Sequence, residues 1–199
     1  MIVVNLFGAP GAGKSTGAAY IYSKLKMHGV NAELVTEFAK DKTWENNSEV
    51  FKNQAYIFGK QYLRLSRLDG KVDVVITDAP ILNSAFYNES PVLGKDFNRV
   101  VRHTFDSYSN INYFILRDKL YNPVGRSQTM EQSDQMAYAF KRKLSSYGIP
   151  YRHIQGNEEG YGKVVSDVLK ALKAQNYNRR IDVDSDVLLD REALQEGYN

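Results

Sequence analysis

The sequence predicts an α/β protein with three layers, in which helices cover both faces of a five-stranded, mainly parallel sheet. Short β-branched runs alternate with longer helical segments along the chain. The strand runs are continuously apolar, which is typical of strands buried on both faces. Strands that alternate with helices form right-handed βαβ units and hence a parallel sheet. The 199 residues suit one domain over residues 1–175, followed by an acidic tail over residues 176–199.

The individual elements follow from this alternation and from glycines that end helices, such as Gly29 and Gly148. Strands are predicted at residues 2–7, 31–36, 72–77, 111–116 and 150–154. Helices are predicted at residues 14–28, 48–68, 96–107, 131–147 and 158–174, with Asn47 or Ser48 capping the second of them. The tail is polar, and either a disordered end or a short helix at residues 185–195 fits it.

Composition and charge exclude several classes of protein. The chain has no cysteine, which excludes disulfides and thiolate metal sites. No apolar run reaches the roughly 18 residues of a membrane span, and we interpret residues 1–7 as a buried strand rather than a signal peptide. We therefore expect a cytoplasmic protein. The net charge is +3, but residues 182–199 hold six acids and one arginine, so the preceding part is more basic and DNA stays open as a partner.

The strongest motif joins the first predicted strand to the first predicted helix. It matches G-x-x-x-x-G-K-[ST] at every fixed position, in the strand-to-helix setting that the motif requires. Its residues are Gly8, Ala9, Pro10, Gly11, Ala12, Gly13, Lys14 and Ser15. Glycines let successive N–H groups turn toward one anion, and the helix N-terminus adds positive charge there. We expect Lys14 to reach the β- and γ-phosphates of ATP, Ser15 to ligate Mg²⁺ and Thr16 to contact the α-phosphate.

A second carboxylate completes the expected metal site. Asp78 ends the β-branched run at residues 74–77, where proteins with such a loop place an acid for magnesium. A helix-capping role for Asp78 stays open beside this one. Motor-type and protease-type ATPases commonly carry a glutamate after this acid, and GTPases carry an N-K-x-D segment, whereas this chain has Ala79 and no such segment. Both absences favour a phosphotransferase over a hydrolase or a switch.

The acceptor side of the site is less sharply specified. Glu37 follows the second predicted strand, and the carboxyl ends of parallel strands share one edge, so Glu37 is expected beside Lys14 and Asp78. A carboxylate there can accept the proton of an attacking hydroxyl, which makes Glu37 the predicted general base. Gln54 and Gln61 lie seven residues apart on one helix face. With Tyr62 they are candidates for acceptor binding, and packing in the core is the alternative.

The loop after the fourth strand predicts an arginine-bearing lid over residues 117–130. Arg126, beside Gly125, is the first candidate to contact the transferring phosphate, and Arg117 is the second. Solvated loop arginines are the alternative. Gly156 follows the fifth strand, where a turn could pack near an adenine, and Gly156 is therefore a candidate cofactor-binding residue.

Taken together, these motifs resemble the small P-loop kinases that bacteriophages often encode. Residues 36–40 are similar to the E-[YF]-[AV]-R stretch of the nicotinamide-riboside kinase type, with Lys40 in place of the arginine. The chain looks closer still to the phage kinases that phosphorylate 5-hydroxymethyluracil in DNA. The resemblance covers residues 1–173 and implies a P-loop nucleotide-kinase fold with a lid. It also implies the assignments above: ATP and Mg²⁺ as cofactors, Glu37 as base and Arg126 as lid contact.

Two classes of function stay open from the sequence. The first is a kinase that acts on a hydroxyl of a nucleoside, a nucleotide or a modified DNA base. Basic residues between positions 52 and 71 favour DNA, although a solvated helix face is the common alternative; they are Lys52, Lys60, Arg64, Arg67 and Lys71. The second is a non-kinase ATPase or a nucleotide-dependent interaction module, in which Glu37 would activate water.

Overall fold

The sheet has the predicted architecture. A computed structural model describes residues 1–45, 47–122 and 128–175. Five strands in these ranges form one sheet in the order β2-β3-β1-β4-β5, and every neighbouring pair is parallel. The strands are β1 (Ile2–Phe7), β2 (Ala32–Val35), β3 (Val74–Thr77), β4 (Ser109–Leu116) and β5 (Arg152–Gln155). The predicted fold class is confirmed, and β1 has its predicted bounds.

Helices connect the strands and cover both faces of the sheet. They are α1 (Lys14–Met27), α2 (Phe38–Trp44), α3 (Gln54–Ser66), α4 (Asn83–Phe86), α5 (Gly94–Asp106), α6 (Met130–Ser146) and α7 (158–175). A 3₁₀ helix at Ser48–Lys52 precedes α3. The α6 N-terminus has a capping box, in which Thr129 and Gln132 satisfy each other's backbone N–H groups.

Two apolar clusters lie on opposite faces of the sheet, because successive strand residues point to opposite sides. In β1, Ile2, Val4 and Leu6 pack against α1 and α7, whereas Val3 and Phe7 pack on the side of α3, α5 and α6. Asn5 is the exception in this apolar strand, and it is fully buried. Its side-chain amide donates to Asn110 and Asn112 of β4, at 2.7 and 3.0 Å, so the polar group is satisfied inside the sheet.

The prediction of one continuous helix over residues 48–68 is wrong. The sequence predicts a single helix over residues 48–68, but the chain forms a 3₁₀ helix, breaks at Asn53 and then begins α3. The Asn53 side chain accepts a hydrogen bond from the N–H of Tyr56 at 3.0 Å, so Asn53 caps α3, and Asn47 makes no side-chain cap bond. Helix α2 was not predicted.

The parallel sheet brings the ends of three strands together. Val35 of β2 and Asn5 of β1 both pair with Thr77 of β3, so these strands end at nearly the same level. Residues 123–127 of the predicted lid, which include Arg126, and the tail at 176–199 lie outside the described residues. Among the described residues, no helix is both long and apolar enough to cross a bilayer.

Candidate active site

The loop between β1 and α1 has the shape of an anion-binding turn. Gly11 and Gly13 have φ angles of 79° and 99°, which side chains resist and glycine allows. Gly13 is also the cap residue of α1, so the loop runs directly into the positive end of the helix. The Lys14 ammonium donates to the carbonyls of Gly8 and Ala9, at 2.8 and 3.1 Å, and so lies across the loop.

The turn after β5 packs directly on this loop. The N–H of Gly156 donates to the carbonyl of Leu116 at 2.8 Å, which joins the ends of β4 and β5. A Cβ atom at Gly156 would lie 2.5 Å from the carbonyl oxygen of Ala12, so only glycine permits this approach. Gly156 thus packs next to the phosphate loop, and its contact with an adenine stays a prediction.

Asp78 joins the ends of β2 and β3 at the edge of the sheet. It is buried, with 3% of its surface exposed, and its Oδ1 atom accepts a hydrogen bond from the N–H of Glu37 at 3.0 Å. This contact lies at the start of α2, whose N-cap residue is Glu37. The second carboxylate oxygen of Asp78 accepts no hydrogen bond within the described ranges, so it is available to a metal-bound water or a metal.

The Glu37 carboxyl group lies between opposite charges. Burial raises its pKa above the ordinary value, the Lys14 ammonium lowers it, and the Asp78 carboxylate raises it again, with a net upward shift. The positive charge of Lys40 also lowers the pKa of this carboxyl group. Lys40 is the residue that replaces the arginine of the nicotinamide-riboside kinase stretch. A carboxylate with a raised pKa is a stronger proton acceptor than an exposed one. The structure thus brings Lys14, Glu37 and Asp78 together.

Tyr87 is a neighbour of this group that sequence reasoning missed. It follows α4, and its ring packs edge-on against Phe140 of α6 at 5.4 Å. The pKa of the Tyr87 phenol is raised first by burial and then by the negative charge of Glu37. The phenol therefore keeps its proton at neutral pH. No sequence motif marks it, because its place depends on how α4 folds back after Asp78.

The three predicted acceptor-binding residues of α3 take different positions. The Gln61 amide is engaged by backbone at both ends: Oε1 accepts from the N–H of Phe38 at 3.0 Å, and Nε2 donates to the carbonyl of Thr36 at 3.2 Å. Gln54 is buried and donates to the carbonyl of Phe51 at 2.8 Å. Gln61 therefore fixes the backbone around Glu37, and a role in base recognition stays a prediction for both glutamines.

Tyr62 lies on the side of α3 that faces α5. Its ring stacks on Phe58 at 5.8 Å, and Phe58 in turn contacts Phe97 of α5 edge-on. The pKa of Tyr108, which precedes β4, is raised first by burial and then by Tyr62. This position favours helix packing over acceptor contact, which stays a prediction.

Arg117 lies beside the phosphate loop at the base of the predicted lid. Its guanidinium forms an ion pair with Asp134 of α6 and lies over the Tyr121 ring, 5.5 Å from the ring centre. The Nη1 atom of Arg117 is buried and has no hydrogen-bond partner. A cavity of about 270 Å³ opens here between the loop and α6, lined among others by Pro10, Arg117 and Lys141. Arg117 is thus placed near a phosphate chain on the loop.

The donors present fit magnesium. Ser15 lies exposed in the first turn of α1, and Asp78 offers a free carboxylate oxygen across the crevice. Among the described residues, no group of three His, Cys, Asp or Glu side chains could form an all-protein site. Mg²⁺ keeps several waters and is usually held by one or two protein oxygens together with substrate phosphates, which this pair can supply.

Comparison with known families identifies the chain. A family model described as an AAA domain matches residues 3–160. The chain belongs to this AAA domain family. None of the curated proteins matches the chain.

Among solved structures, this AAA-domain chain is similar to Kti12 from Chaetomium thermophilum, solved in complex with ADP-AlF3. The identity is 11%, the match covers 85% of this chain and 98% of that one, and the TM-score is 0.52. It is also similar to shikimate kinase from Bacteroides thetaiotaomicron, with 14% identity, 86% and 98% coverage and a TM-score of 0.46. The Kti12 likeness shows the fold. The AAA-domain protein therefore has an α/β P-loop fold.

Proposed function

We propose that this protein is an ATP- and Mg²⁺-dependent kinase that transfers the γ-phosphate to a hydroxyl group. One observation carries the proposal: the backbone N–H of Glu37 donates to the Asp78 carboxylate at 3.0 Å, and the Glu37 carboxyl group lies within electrostatic reach of Lys14. A proton acceptor is thus held beside the groups that bind the phosphate chain. No glutamate follows Asp78 in the position that many ATPases use for water activation.

The reaction follows from these positions. The loop N–H groups and Lys14 hold the β- and γ-phosphates, and Mg²⁺ held by Ser15 and Asp78 would supply charge neutralisation there. Glu37 accepts the proton of the acceptor hydroxyl while the hydroxyl oxygen forms a bond to the γ-phosphorus. The bond from the γ-phosphorus to the bridging oxygen breaks, and ADP leaves. Arg117 lies beside the loop, where its guanidinium stabilises the negative charge that develops on the transferring phosphate. We propose the same role for Arg126.

The proposed acceptor is 5-hydroxymethyluracil in DNA, with a free nucleoside or nucleotide as the alternative. The resemblance to phage kinases and the basic surface of α3 support DNA. Lys60 lies over the ring of exposed Tyr56 at 5.5 Å, an arrangement suited to a nucleic-acid base or backbone. Two other cations of this region are already paired, Lys52 with Glu49 and Arg64 with Asp41, which reduces the charge left for DNA.

A second candidate is an ATPase without a phosphate acceptor. It is favoured by Glu37, which could orient a water molecule in place of a hydroxyl. Kti12, whose fold this chain shares, was solved with ADP-AlF3, which supports nucleotide binding for either candidate.

One experiment separates these candidates. The protein is incubated with Mg²⁺ and ATP labelled in the γ-phosphate, with a panel of nucleosides and nucleotides and with duplex DNA that contains or lacks 5-hydroxymethyluracil. Label in the modified DNA alone supports the DNA kinase, and label in a free nucleoside or nucleotide supports the alternative acceptor. Inorganic phosphate release that no acceptor changes would refute the kinase proposal in favour of the ATPase.

A further inference from the structure

Two hydroxyl groups hold the phosphate loop from outside, although both are far from it in the sequence. Ser133, in the first turn of α6, is 1% exposed, and its Oγ donates to the carbonyl of Pro10 at 2.7 Å. Tyr161, in α7, donates its hydroxyl to the carbonyl of Gly13 at 3.0 Å. The two contacts reach the loop from opposite faces of the sheet, since Tyr161 belongs to the α1 side and α6 covers the other.

These contacts fix the direction of two loop N–H groups. A peptide group is planar, and in the trans form its C=O and N–H point in opposite directions. The described residues contain no cis peptide bond. When the Pro10 carbonyl points to Ser133, the N–H of Gly11 in the same peptide points the other way. By the same reasoning, the Gly13 carbonyl, which accepts from Tyr161 and also from the N–H of Gly17 at 2.8 Å, turns the N–H of Lys14 away from α7.

The N–H of Gly11 has no protein acceptor to hold it instead. It donates no hydrogen bond among the described residues, and Gly11 has the positive φ angle of a loop that presents its N–H groups to an anion. Among the described residues, the N–H of Gly11 is therefore oriented through the Pro10 carbonyl of the same peptide group, which accepts the hydrogen bond from Ser133.

Tyr161 is fitted to its place by the glycines it covers. A Cβ atom at Gly13 would lie 2.5 Å from the Tyr161 hydroxyl, and one at Gly17 would lie 2.5 Å from its ring. The pKa of the Tyr161 phenol is raised first by burial and then by the charge of Asp118. The phenol therefore keeps its proton and remains a donor throughout the neutral range.

Two more carbonyls of the loop are held by Lys14. Gly8 and Ala9 accept from the Lys14 ammonium, and the Ala9 carbonyl also accepts from the N–H of Ala12 at 3.2 Å. Lys14 must turn to a phosphate chain when one binds, so its hold on these carbonyls weakens at that moment. The contacts from Ser133 and Tyr161 do not involve a ligand-binding side chain and can persist.

We infer that Ser133 and Tyr161 are positioning residues of the phosphate loop, which hold the N–H groups of Gly11 and Lys14 toward a bound phosphate chain. Neither side chain contacts the ligand itself. The inference rests on the proposed function only in that the loop binds a phosphate chain, and it holds for a kinase and for an ATPase alike.

The test is calorimetric titration with Mg²⁺ and inorganic tripolyphosphate, which has no base and so reports on the loop alone. The variants are Ser133→Ala, Tyr161→Phe and a rescue variant, Ser133→Thr, whose added methyl group the adjoining cavity can receive. The matched control is Ser146→Ala, because the Ser146 hydroxyl of the same helix also donates to a backbone carbonyl, at 2.9 Å, but far from the loop. Thermal unfolding of each variant is measured in parallel.

Losing one such hydrogen bond should weaken tripolyphosphate binding roughly three- to tenfold in Ser133→Ala and in Tyr161→Phe. Ser133→Thr should bind within about twofold of the wild type, as should Ser146→Ala. Wild-type affinity in both Ser133→Ala and Tyr161→Phe would overturn the inference and leave the proposed kinase intact. Equal weakening in Ser146→Ala would also overturn it, since the effect would then be one of helix stability. No binding by the wild type would overturn both the inference and the nucleotide site, whereas binding without phosphate transfer would refute only the kinase.

Discussion

Replacing Glu37 with glutamine separates the chemical role of its carboxylate from its structural one. Gln is nearly the same size and keeps the backbone N–H that donates to Asp78 at 3.0 Å, so the crevice should keep its shape. The side chain loses its ability to accept a proton. General-base catalysis contributes roughly 10²–10⁴-fold in rate, and we expect turnover to fall by that factor while ATP affinity changes little.

The same variant should be more stable than the wild type at neutral pH, and the sign follows from the pKa. Burial, helped by Asp78, holds the folded pKa of Glu37 above its ordinary value of 4.5. Ionised Glu37 therefore costs the folded state free energy. Below pH 4.5 the carboxyl group is protonated in both states and the cost disappears, so wild-type stability falls as pH rises through the raised pKa. Glutamine avoids this cost, and the stability difference should grow from near zero at acid pH to its full value above that pKa.

Both effects can be measured on one preparation. Steady-state kinetics between pH 5 and pH 9 give turnover and KM, and urea unfolding at pH 4 and pH 8 gives the stability difference. The wild-type rate should fall on the acid side as Glu37 becomes protonated, and the residual rate of Glu37→Gln should lack that limb. Unchanged turnover in Glu37→Gln, or a variant less stable than the wild type at pH 8 but not at pH 4, would refute the reasoning.

Three further predictions concern Lys14, Asp78 and the packing around Tyr161. Lys14→Ala should abolish ATP turnover and leave the thermal midpoint within a few degrees of the wild type; full activity would remove Lys14 from the site. Asp78→Asn should keep the N–H contact from Glu37 and lose Mg²⁺-dependent activity, whereas Asp78→Ala should also destabilise the fold by about 2 kcal/mol in urea unfolding. Gly17→Ala should cost about 1–3 kcal/mol, because its Cβ would lie 2.5 Å from Tyr161, and Gly59→Ala in α3, where nothing lies within 4 Å, should instead stabilise by about 0.5–1 kcal/mol. Equal effects of the two glycine substitutions would contradict the packing around Tyr161.

The parts of the fold that the sequence predicts are those set by local pattern. β1 and the phosphate loop are defined by an apolar run and a fixed motif, and the motif itself requires a strand before it and a helix after it. Asp78 and Glu37 could be placed in one crevice because parallel strands end at one edge.

Helix α2 could not be predicted, because its seven residues carry no amphipathic period. Tertiary contacts hold it: Gln61 accepts the N–H of Phe38, and Arg64 pairs with Asp41 at 2.7 Å. The Gln61 contact also shows that an α3 side chain that looks suited to base recognition is occupied by the backbone. A pattern of residue types cannot distinguish these two uses of a glutamine.

Tyr87, Ser133 and Tyr161 were missed for a related reason. Ser133 and Tyr161 meet the loop across 123 and 148 residues of chain, and neither belongs to a motif. Their contacts depend on how α6 and α7 pack on the sheet, which hydrophobic periodicity does not specify. The signal that could have pointed to Tyr161 is indirect: Gly17, one helical turn after Gly13, is a glycine inside a helix and suggests a close neighbour.

The measurement that tests the central claim most directly is the fate of the γ-phosphate of ATP. With Mg²⁺ and the acceptor panel, labelled phosphate should appear on a hydroxyl of one acceptor, and ADP should form in equal amount. Lys14→Ala should abolish both, and Glu37→Gln should slow both by roughly 10²–10⁴-fold. ADP and inorganic phosphate formed at the same rate with and without every acceptor would contradict the account, because the groups at Glu37 and Asp78 would then be activating water.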